Sequence, residues 1–394
     1  MRILSITAQK PNSTGSGIYL TELVKAYAQE GYAQAVVAGI YREDSVELPK
    51  NVDLYPVYFC EGALPYPIVG MSDEMPYKST RYCDMTPGMT EAFCNRFLEV
   101  IVRAVEEFGP DIVLCHHLYL LTAIVRERFP EKKVYGICHN TDLRQMRKTD
   151  FKREYIAGQI RKLDRIFVPQ NAQKEGVKDI YGADEEKISV VGTGYNNKIF
   201  YPAGKKPDDG VTRLVFAGKI AEKKGVMSLI RSLSYLPLKR EELQILLAGS
   251  AGNKTEYAKI RELAKECPYE IQFLGRLLQP ELAKVYNQCD IFVLPSFFDG
   301  LPLTVIEALA CGDRVVVTDL PGIQDWLSSY APGADVRYVK LPEMRNTDEP
   351  IPASLPEFEK RLAGALLESI RAKEGSHADV SRISWERIAQ EVVR

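Results

Sequence analysis

The feature that most constrains the fold is an alternation of short apolar runs with amphipathic segments along almost the whole chain. Runs of strand type occur at MRILSITA, QAVVAGIY, VDLYPVYF, DIVLCHH, KKVYGICH, RIFVPQ and KISVVGTG, and later at TRLVFAG, LQILLAG, YEIQFLG, CDIFVLPS and DRVVVTDL. Helical patterns such as TELVKAYAQEG lie between most of them. Strands that alternate with amphipathic helices predict parallel, doubly wound sheets of the α/β class.

The chain length predicts more than one domain. At 394 residues the chain is too long for one ordinary core, so two domains are expected. Residues 196–212 are rich in Pro, Gly, Lys and Asp, which is typical of an interdomain linker. We therefore predict a Rossmann-like domain over residues 1–200, a second over residues 201–376, and a closing helix over residues 377–394.

An irregular stretch, residues 61–89, interrupts the pattern inside the first domain. It holds several Pro, Gly and Tyr residues and shows no periodicity. A loop this long inside a compact domain is usually functional or disordered. Its tyrosines Tyr66, Tyr77 and Tyr82 favour a lid or an acceptor-side loop, and a surface embellishment packed on the first domain is an equal alternative.

Composition and charge argue against several classes of function. A net charge of −2 and a pI of about 6.2 give no sign of a nucleic-acid surface. The eight cysteines are scattered without a C-x-x-C pair, which argues against a disulfide framework and favours a reducing compartment. No apolar run approaches the roughly 20 residues of a membrane span, and the chain begins directly with a strand pattern. We therefore expect a cytoplasmic protein without a leader peptide.

A basic, helix-like stretch covers residues 144–166. We predict that it forms a solvated face. The alternative is a patch that meets an anionic acceptor or the inner face of a membrane.

The strongest chemical signal is the stretch IFVLPSFFDGLPLTVIEALACG, residues 291–312. It predicts a strand, a turn-rich loop and a helix, because Pro302 suits a first helical turn and Gly312 suits a helix end. Asp299 lies in the loop and Glu307 lies inside the helix. A helix that begins at the carboxyl end of a strand points its free N–H groups at the crevice above the sheet, which is an anion site.

This stretch resembles the acidic-x7-acidic signature of retaining glycosyltransferases of family 4. The matching residues are Asp299, Gly300, Pro302, Glu307, Ala308, Ala310 and Gly312. The first carboxylate is Asp where the family usually has Glu, so it is one methylene shorter. The resemblance implies the GT-B fold, in which two Rossmann-like domains face each other across a cleft and the last helix crosses back to the first domain.

A basic turn, LVFAGKIAEKKGV at residues 214–226, resembles the family pattern Gly-Arg-x4-Lys-Gly that grips the donor diphosphate. Gly218, Lys224 and Gly225 match this pattern. Lys219 stands where Arg is usual, so the charge is kept and the bidentate fork is lost. The implied role of Lys219 and Lys224 is to neutralise the leaving diphosphate.

Further donor contacts are implied by the same resemblance. Glu307 would accept hydrogen bonds from the donor ribose, and Asp299 with the N–H groups of Gly300 and Leu301 would hold the sugar hydroxyls. The residues implied to border the nucleotide are Gly249, Ser250, Arg276 and Leu277.

The first strand runs into a glycine pair, Gly15 and Gly17, where the backbone can approach a phosphate closely. It forms neither a dinucleotide G-x-G-x-x-G nor a P-loop, and by resemblance it lies near the donor diphosphate and the acceptor. His139 follows strand KKVYGIC and matches a family histidine near the donor sugar. We also expect one of His116 and His117 to be buried and satisfied.

We predict a retaining glycosyltransferase that moves a hexose-type sugar from a nucleotide-diphosphate sugar, UDP- or GDP-linked, to an acceptor hydroxyl. The acceptor classes considered are a glycan, a lipid-linked glycan and a small molecule. No cofactor and no metal are expected, because the sequence has neither D-x-D nor H-E-x-x-H. Two alternatives stay open: a sugar-nucleotide 2-epimerase of the same fold, and a catalytically silent nucleotide-binding partner subunit. The second alternative stays open because three residues depart mildly from the family pattern. Lys219 replaces Arg and Asp299 replaces Glu, and Asn196 replaces the acidic residue of a segment that usually reads Gly-Val-Asp.

Overall fold

The computed structural model describes residues 1–372, 376 and 378–394. The chain forms two compact units. The first unit comprises residues 1–194 together with residues 385–394, and the second comprises residues 195–384. Each unit has its own hydrophobic core.

The first unit contains a parallel sheet flanked by helices. Its strands are β1 (Arg2–Thr7), β2 (Ala33–Ile40), β3 (Val52–Tyr58), β4 (Val69–Gly70), β5 (Thr80–Arg81), β6 (Ile112–His116), β7 (Lys133–Ile137), β8 (Arg165–Val168) and β9 (Ile188–Val190). Its helices before the linker are α1 (Gly15–Gln29), α2 (Pro87–Phe108), α3 (Leu120–Arg128), α4 (Thr141–Lys148), α5 (Arg153–Ile160) and α6 (Asn171–Tyr181).

The main sheet of the first unit has the order β3-β2-β1-β6-β7-β8-β9, and every neighbouring pair is parallel. The strand order reverses direction between β1 and β6. In open α/β sheets this switch point leaves a crevice at the carboxyl ends of the strands, where ligands bind.

The second unit repeats the scheme with a smaller sheet. Its strands are β10 (Thr212–Ala217), β11 (Leu243–Ala248), β12 (Glu270–Gly275), β13 (Ile291–Leu294), β14 (Arg314–Thr318) and β15 (Val336–Val339). Its helices are α7 (Val226–Ser232), α8 (Lys254–Lys265), α9 (Gln279–Tyr286), α10 (Leu303–Ala310), α11 (Ile323–Tyr330) and α12 (Leu355–Arg371).

The second sheet has the order β12-β11-β10-β13-β14-β15, again with parallel pairing throughout. Its switch point lies between β10 and β13. The prediction of two doubly wound, Rossmann-like sheets is confirmed.

The last helix, α13 (Trp385–Val393), belongs to the first unit although the residues before it belong to the second. The Trp385 ring packs edge-on against Tyr19 of α1, with centroids 4.9 Å apart. A side chain at Gly194 would meet the Trp385 ring at 2.5 Å, so only glycine fits beneath the indole. The Arg387 guanidinium donates to the Val191 carbonyl at 2.9 Å. The prediction that the closing helix crosses back to the first domain is confirmed.

The boundaries of the units differ from those we predicted. The first unit ends at Gly194 rather than at residue 200. The C-terminal helix begins at Trp385, and the predicted boundary at residue 377 lies outside the described residues. Phe200 explains the first difference, because its side chain is buried in the core of the second unit with its ring 6.0 Å from that of Tyr286. The Pro- and Gly-rich segment is therefore part of the second unit at its start.

The irregular stretch 61–89 is folded onto the first unit. Leu64, Ile68 and Met71 are buried in its core. The Gln145 side chain of α4 donates to the Met71 carbonyl at 2.9 Å. Its last residues already belong to α2, which begins at Pro87 and is capped by the Thr86 hydroxyl.

The basic stretch 144–166 is not one solvated helix. It contains the end of α4 and all of α5, separated by a short turn. Arg144 is buried and pairs with Asp73, which also accepts from Lys148 at 2.8 Å. The prediction of a solvated face is wrong at Arg144, because Asp73 lies 71 residues away in sequence and the pairing has no local signal. Among the described residues, no helix is both long enough and apolar enough to cross a membrane.

Candidate functional site

The carboxyl ends of β10 and β13 form the switch point of the second unit, and the loops that follow these strands carry the basic turn and the acidic pair. Gly218 and Lys219 follow β10 directly, and Lys224 ends a short 3-10 turn before α7. Asp299 lies in the loop between β13 and α10. The sequence prediction placed all of these residues in the site, and the topology brings their loops to one edge of one sheet.

Two glycines let these loops touch backbone to backbone. Gly225 has φ +70°, and a Cβ there would lie 2.0 Å from the Pro295 carbonyl oxygen. Gly249 has φ +147°, and a Cβ there would lie 1.6 Å from the Gly218 carbonyl oxygen. Neither position can carry a side chain without displacing its neighbour. The loops after β10, β11 and β13 are therefore held in direct contact.

Lys224 and Asp299 form an ion pair in this edge, with Nζ to Oδ2 at 2.6 Å. About a quarter of each side chain is exposed, 27% for the lysine and 23% for the aspartate. A pair this accessible contributes about 1 kcal/mol or less to stability. The pair therefore contributes little to the stability of the fold.

Glu307 lies in the second turn of α10 and is buried. Pro302 precedes this helix and offers no side-chain cap to its N–H groups. Gly300, Leu301 and Pro302 form the approach to the helix start. The geometry matches the predicted strand, loop and helix.

Lys223, which the sequence did not single out, has a different partner from its neighbour Lys224. Its Nζ lies 2.9 Å from Oδ2 of Asp348, which is buried. Asp348 lies 125 residues away in sequence, so no local pattern announces the pair. The two adjacent lysines therefore serve different carboxylates, one buried and one accessible. Lys219 is partly buried and also has an interaction partner.

The predicted nucleotide contacts follow the next two strands of the same sheet. Gly249 and Ser250 follow β11, and the Ser250 carbonyl accepts from the Ile220 N–H at 3.0 Å. Arg276 and Leu277 follow β12, with Arg276 exposed and Leu277 partly buried. The predicted residues of this unit thus lie on consecutive loops at the carboxyl edge of β12, β11, β10 and β13.

The switch point of the first unit carries a histidine cluster. His116 ends β6, His117 follows it, and His139 follows β7. His116 Nδ1 and His139 Nε2 are 3.1 Å apart, within hydrogen-bond distance. The His117 ring packs on that of His139 with centroids 4.6 Å apart, and the Tyr19 ring lies edge-on at 5.2 Å.

Gly15 and Gly17 lie at the start of α1, beside this cluster in the topology. The Thr14 hydroxyl caps the helix by accepting from the Gly17 N–H at 3.1 Å. A Cβ at Gly17 would lie 2.7 Å from the Lys10 carbonyl oxygen, so the loop after β1 folds tightly over the helix start. Of the two predicted glycines, Gly17 therefore makes a close backbone contact, whereas a Cβ at Gly15 would meet nothing within 4 Å.

Asp142, at the start of α4, ties the strand ends of the cluster together. Its buried carboxylate accepts from the N–H groups of Leu118 at 2.8 Å and His139 at 3.2 Å. Burial raises the pKa of this carboxyl above its ordinary value, against those hydrogen bonds. His117 and Asn140 flank it with φ of +72° and +66°, a conformation that costs non-glycine residues about 1–3 kcal/mol.

Burial keeps the cluster neutral. It lowers the pKa of His139 to about 3, and it lowers the pKa of His116 and His117 well below the ordinary value, with further lowering from neighbouring imidazoles. Both His116 and His117 are buried, and their Nε2 atoms have no hydrogen-bond partner within the described residues. We expected one of these two histidines to have all its hydrogen bonds satisfied, and neither Nε2 atom meets that expectation. Over the described residues, no group of three or more His, Cys, Asp or Glu could hold a metal ion.

The sequence missed Asp142, Tyr19 and the bond between His116 and His139. Each depends on contacts between separate strand ends or between a helix and a strand. An available signal was that two strand patterns, DIVLCHH and KKVYGICH, both end in histidine. Neighbouring parallel strands bring such ends to the same edge.

Two family models match the chain. The model described as "Glycosyltransferase Family 4" matches residues 13–198, and the model described as "Glycosyl transferases group 1" matches residues 197–336. The first match covers most of the first unit, and the second match covers most of the second unit.

Curated relatives are similar over part of their length. A D-inositol 3-phosphate glycosyltransferase of Stackebrandtia nassauensis is 26% identical over 246 residues, covering 58% of this chain and 53% of that protein. Another of the same name from Pseudarthrobacter chlorophenolicus is 31% identical over 171 residues, covering 40% of each. The chain therefore spans about half the length of the curated relatives it matches.

Solved structures are similar over the whole chain. The sucrose-phosphate synthase of Thermosynechococcus elongatus has a TM-score of 0.70 at 16% identity, covering 100% of this chain and 97% of that one. The Anabaena protein HepE in complex with UDP and glucose has a TM-score of 0.62 at 13% identity, covering 100% and 98%. These likenesses show the fold, which is the GT-B class.

Proposed function

We propose that this chain, which belongs to glycosyltransferase family 4, moves a hexose-type sugar from a nucleotide-diphosphate sugar to an acceptor hydroxyl. The observation that carries the proposal is the accessible ion pair of Lys224 and Asp299 at the switch point of the second unit. It lies where ligands of doubly wound sheets bind, between a basic turn and the start of a helix. The proposed reaction retains the anomeric configuration and needs no metal.

The donor diphosphate would be held by Lys219, Lys224 and the free N–H groups at the start of α10. These groups stabilise the negative charge that develops on the leaving diphosphate, which is usually the largest catalytic effect. A diphosphate carries more negative charge than Asp299, so it competes for Lys224 when it binds. Asp299 would then accept hydrogen bonds from sugar hydroxyls.

The rest of the donor would follow the carboxyl edge of the sheet. Glu307 would accept from the ribose hydroxyls, and the N–H groups of Gly300 and Leu301 would hold the sugar with Asp299. The loops after β11 and β12, with Gly249, Ser250, Arg276 and Leu277, would border the base. HepE was solved with UDP, which supports a UDP-linked donor as the first to test.

The first unit would supply the acceptor side. Gly15 and Gly17 would bring backbone near the donor diphosphate and the acceptor, and His139 would contact the transferred sugar. In the neutral state His139 can form a hydrogen bond without adding charge. The departing phosphate oxygen would take the acceptor proton, so the reaction needs no dedicated base. The relatives' names favour a small phosphorylated hydroxyl compound as the first acceptor to test.

Adjacent lysines allow a matched test of the donor site. Lys224→Ala should lower kcat/KM for nucleotide release at least about 100-fold, because one charge-assisted contact to the leaving group is lost. Its melting temperature should change little, because its ion pair is accessible. Lys223→Ala should do the reverse, lowering the melting temperature by leaving Asp348 buried without its lysine while largely keeping kcat/KM.

The assay is donor-dependent nucleotide release with and without EDTA, followed by NMR of the product anomer. Equal loss of activity in both lysine variants would refute the assignment of Lys224, and a wild-type rate that collapses with EDTA would refute metal independence. An inverted product would refute retention. Conversion of the donor with no acceptor present would indicate the epimerase instead.

A further inference from the structure

One hydrogen bond in the histidine cluster is not explained by the proposed function. His116 Nδ1 and His139 Nε2 are 3.1 Å apart, and their rings lie nearly parallel, 14° apart with centroids at 5.3 Å. Both rings are neutral at pH 7, because burial lowers the pKa of each. A neutral imidazole has one N–H donor and one acceptor, so one of the two nitrogens in this contact must carry the hydrogen.

Burial decides which nitrogen carries it. His116 is only 3% exposed, and its Nε2 has no hydrogen-bond partner within the described residues. A hydrogen on that atom would create an orphaned buried N–H, which is rare and costly in folded proteins. With the hydrogen on Nδ1, His116 donates to His139 and leaves only a lone pair unpaired.

The consequence reaches His139. If its Nε2 accepts from His116, its own hydrogen must lie on Nδ1. His139 is partly exposed, whereas His116 is buried. A ligand can therefore reach the His139 ring and its Nδ1–H group. We infer that His116 is a positioning residue that holds His139 in the Nδ1–H tautomer and so makes it a hydrogen-bond donor to the transferred sugar. Only the identity of that ligand rests on the proposed function.

Neighbouring groups hold the pair in this geometry. The carboxylate of Asp142 fixes the backbone at His139 and Leu118, which sets the two strand ends relative to each other. His117 and Tyr19 pack against the His139 ring. These contacts restrict rotation of the ring, so the tautomer also fixes the direction of the donor.

The tautomer can be measured directly, without any substrate. In protein labelled with 15N-histidine, a long-range proton–nitrogen correlation spectrum distinguishes an Nδ1–H from an Nε2–H ring by its two nitrogen shifts. His139→Gln identifies the His139 signals by their loss. We expect wild-type His139 at pH 7 to be Nδ1–H, and His116→Phe to convert it to the Nε2–H form that free imidazole prefers. A wild-type His139 in the Nε2–H form would overturn the inference, as would a tautomer that His116→Phe leaves unchanged.

Two control variants separate positioning from packing. His116→Asn keeps an amide donor near the position of Nδ1 and should retain the Nδ1–H tautomer. His117→Asn removes a ring that packs on His139, and asparagine tolerates its left-handed backbone, so it too should retain the tautomer. Loss of the tautomer in His117→Asn as well would indicate packing rather than donation by His116.

Kinetics supply a second readout. His116→Phe should lower kcat roughly 10- to 100-fold with a smaller change in KM for the donor, and His116→Asn should restore most of it. A wild-type protein with the Nδ1–H tautomer and no transfer activity would refute the proposed function and leave the tautomer assignment standing. Normal transfer activity with His139 in the Nε2–H form would refute the tautomer assignment and leave the proposed function standing.

Discussion

Among single residues, Asp313 shows how a buried carboxylate shapes stability. It is fully buried beside Lys206, which also donates to the Gly312 carbonyl at 3.1 Å, and its Oδ2 has no partner within the described residues. Burial raises the pKa of Asp313 to about 7, with Lys206 acting in the opposite direction. The fold therefore favours the protonated carboxyl. That stabilisation is complete below the unfolded pKa near 4 and is lost as pH rises to about 7.

This pH dependence predicts the effect of Asp313→Asn. The variant should be more stable than wild type at pH 8 by about 2–4 kcal/mol and close to it at pH 4.5, because asparagine cannot ionise. Urea unfolding at both pH values measures the difference.

An aspartate with the opposite shift is the control for this experiment. Hydrogen bonds from Arg213 lower the pKa of the exposed Asp209 to about 2, so it stays ionised throughout this range. Asp209→Asn should therefore show the same difference from wild type at both pH values. An Asp313→Asn benefit that does not grow with pH would contradict the account.

At this scale the sequence identified residues with a chemical role better than it identified their partners. Lys224 and Asp299 were both singled out by motif, and they prove to be one ion pair. Asp142 and Asp348 were not, because a buried carboxylate is recognisable only from the backbone or lysine that folding brings to it. Sequence spacing carries no record of such partners.

Among structural elements, the contact between the loops after β10 and β13 is the one that assembles the candidate donor site. Gly225 lies next to Lys224 in the left-handed region, and its Cα faces the Pro295 carbonyl. A side chain there would separate the two loops that carry Lys224 and Asp299.

Gly225→Ala tests this contact against a glycine of similar conformation. The left-handed strain costs about 1–2 kcal/mol and the overlap with Pro295 adds about 1–3 kcal/mol, so unfolding free energy and donor affinity should both fall. Gly182→Ala shares the positive φ, at +64°, but has nothing within 4 Å of its Cβ. It should lose only the strain contribution and keep donor affinity.

Urea unfolding and donor titration compare the two glycine variants. An equal loss of unfolding free energy in Gly225→Ala and Gly182→Ala would contradict this prediction. It would mean that the added methyl group fits beside Pro295 without moving the loops.

The elements were largely predictable, and their ends were not. All twelve apolar runs that the sequence predicted as strands contain strands of the two main sheets. The short β4 and β5 pair was not predicted, because two-residue strands leave no period to detect. The Pro- and Gly-rich segment is predicted as an interdomain linker, yet Phe200 near its start is buried in the core of the second unit, which local composition does not reveal.

For the whole molecule, two units of one architecture carry different chemistry at equivalent places. The switch point of the first holds neutral histidines, and that of the second holds lysines and carboxylates. The proposed function assigns the acceptor hydroxyl to the first of these sites and the donor diphosphate to the second.

The most direct test of the central claim is the melting temperature of the wild-type protein, in EDTA, with UDP-, GDP-, ADP- and dTDP-sugars. A ligand at 100 times its Kd stabilises the native state by about 2.7 kcal/mol, which corresponds to a rise of roughly 5 °C or more. We expect one donor, UDP- or GDP-linked, to produce that rise, and Lys224→Ala to abolish most of it. No rise with any donor, or an undiminished rise in Lys224→Ala, would contradict the account.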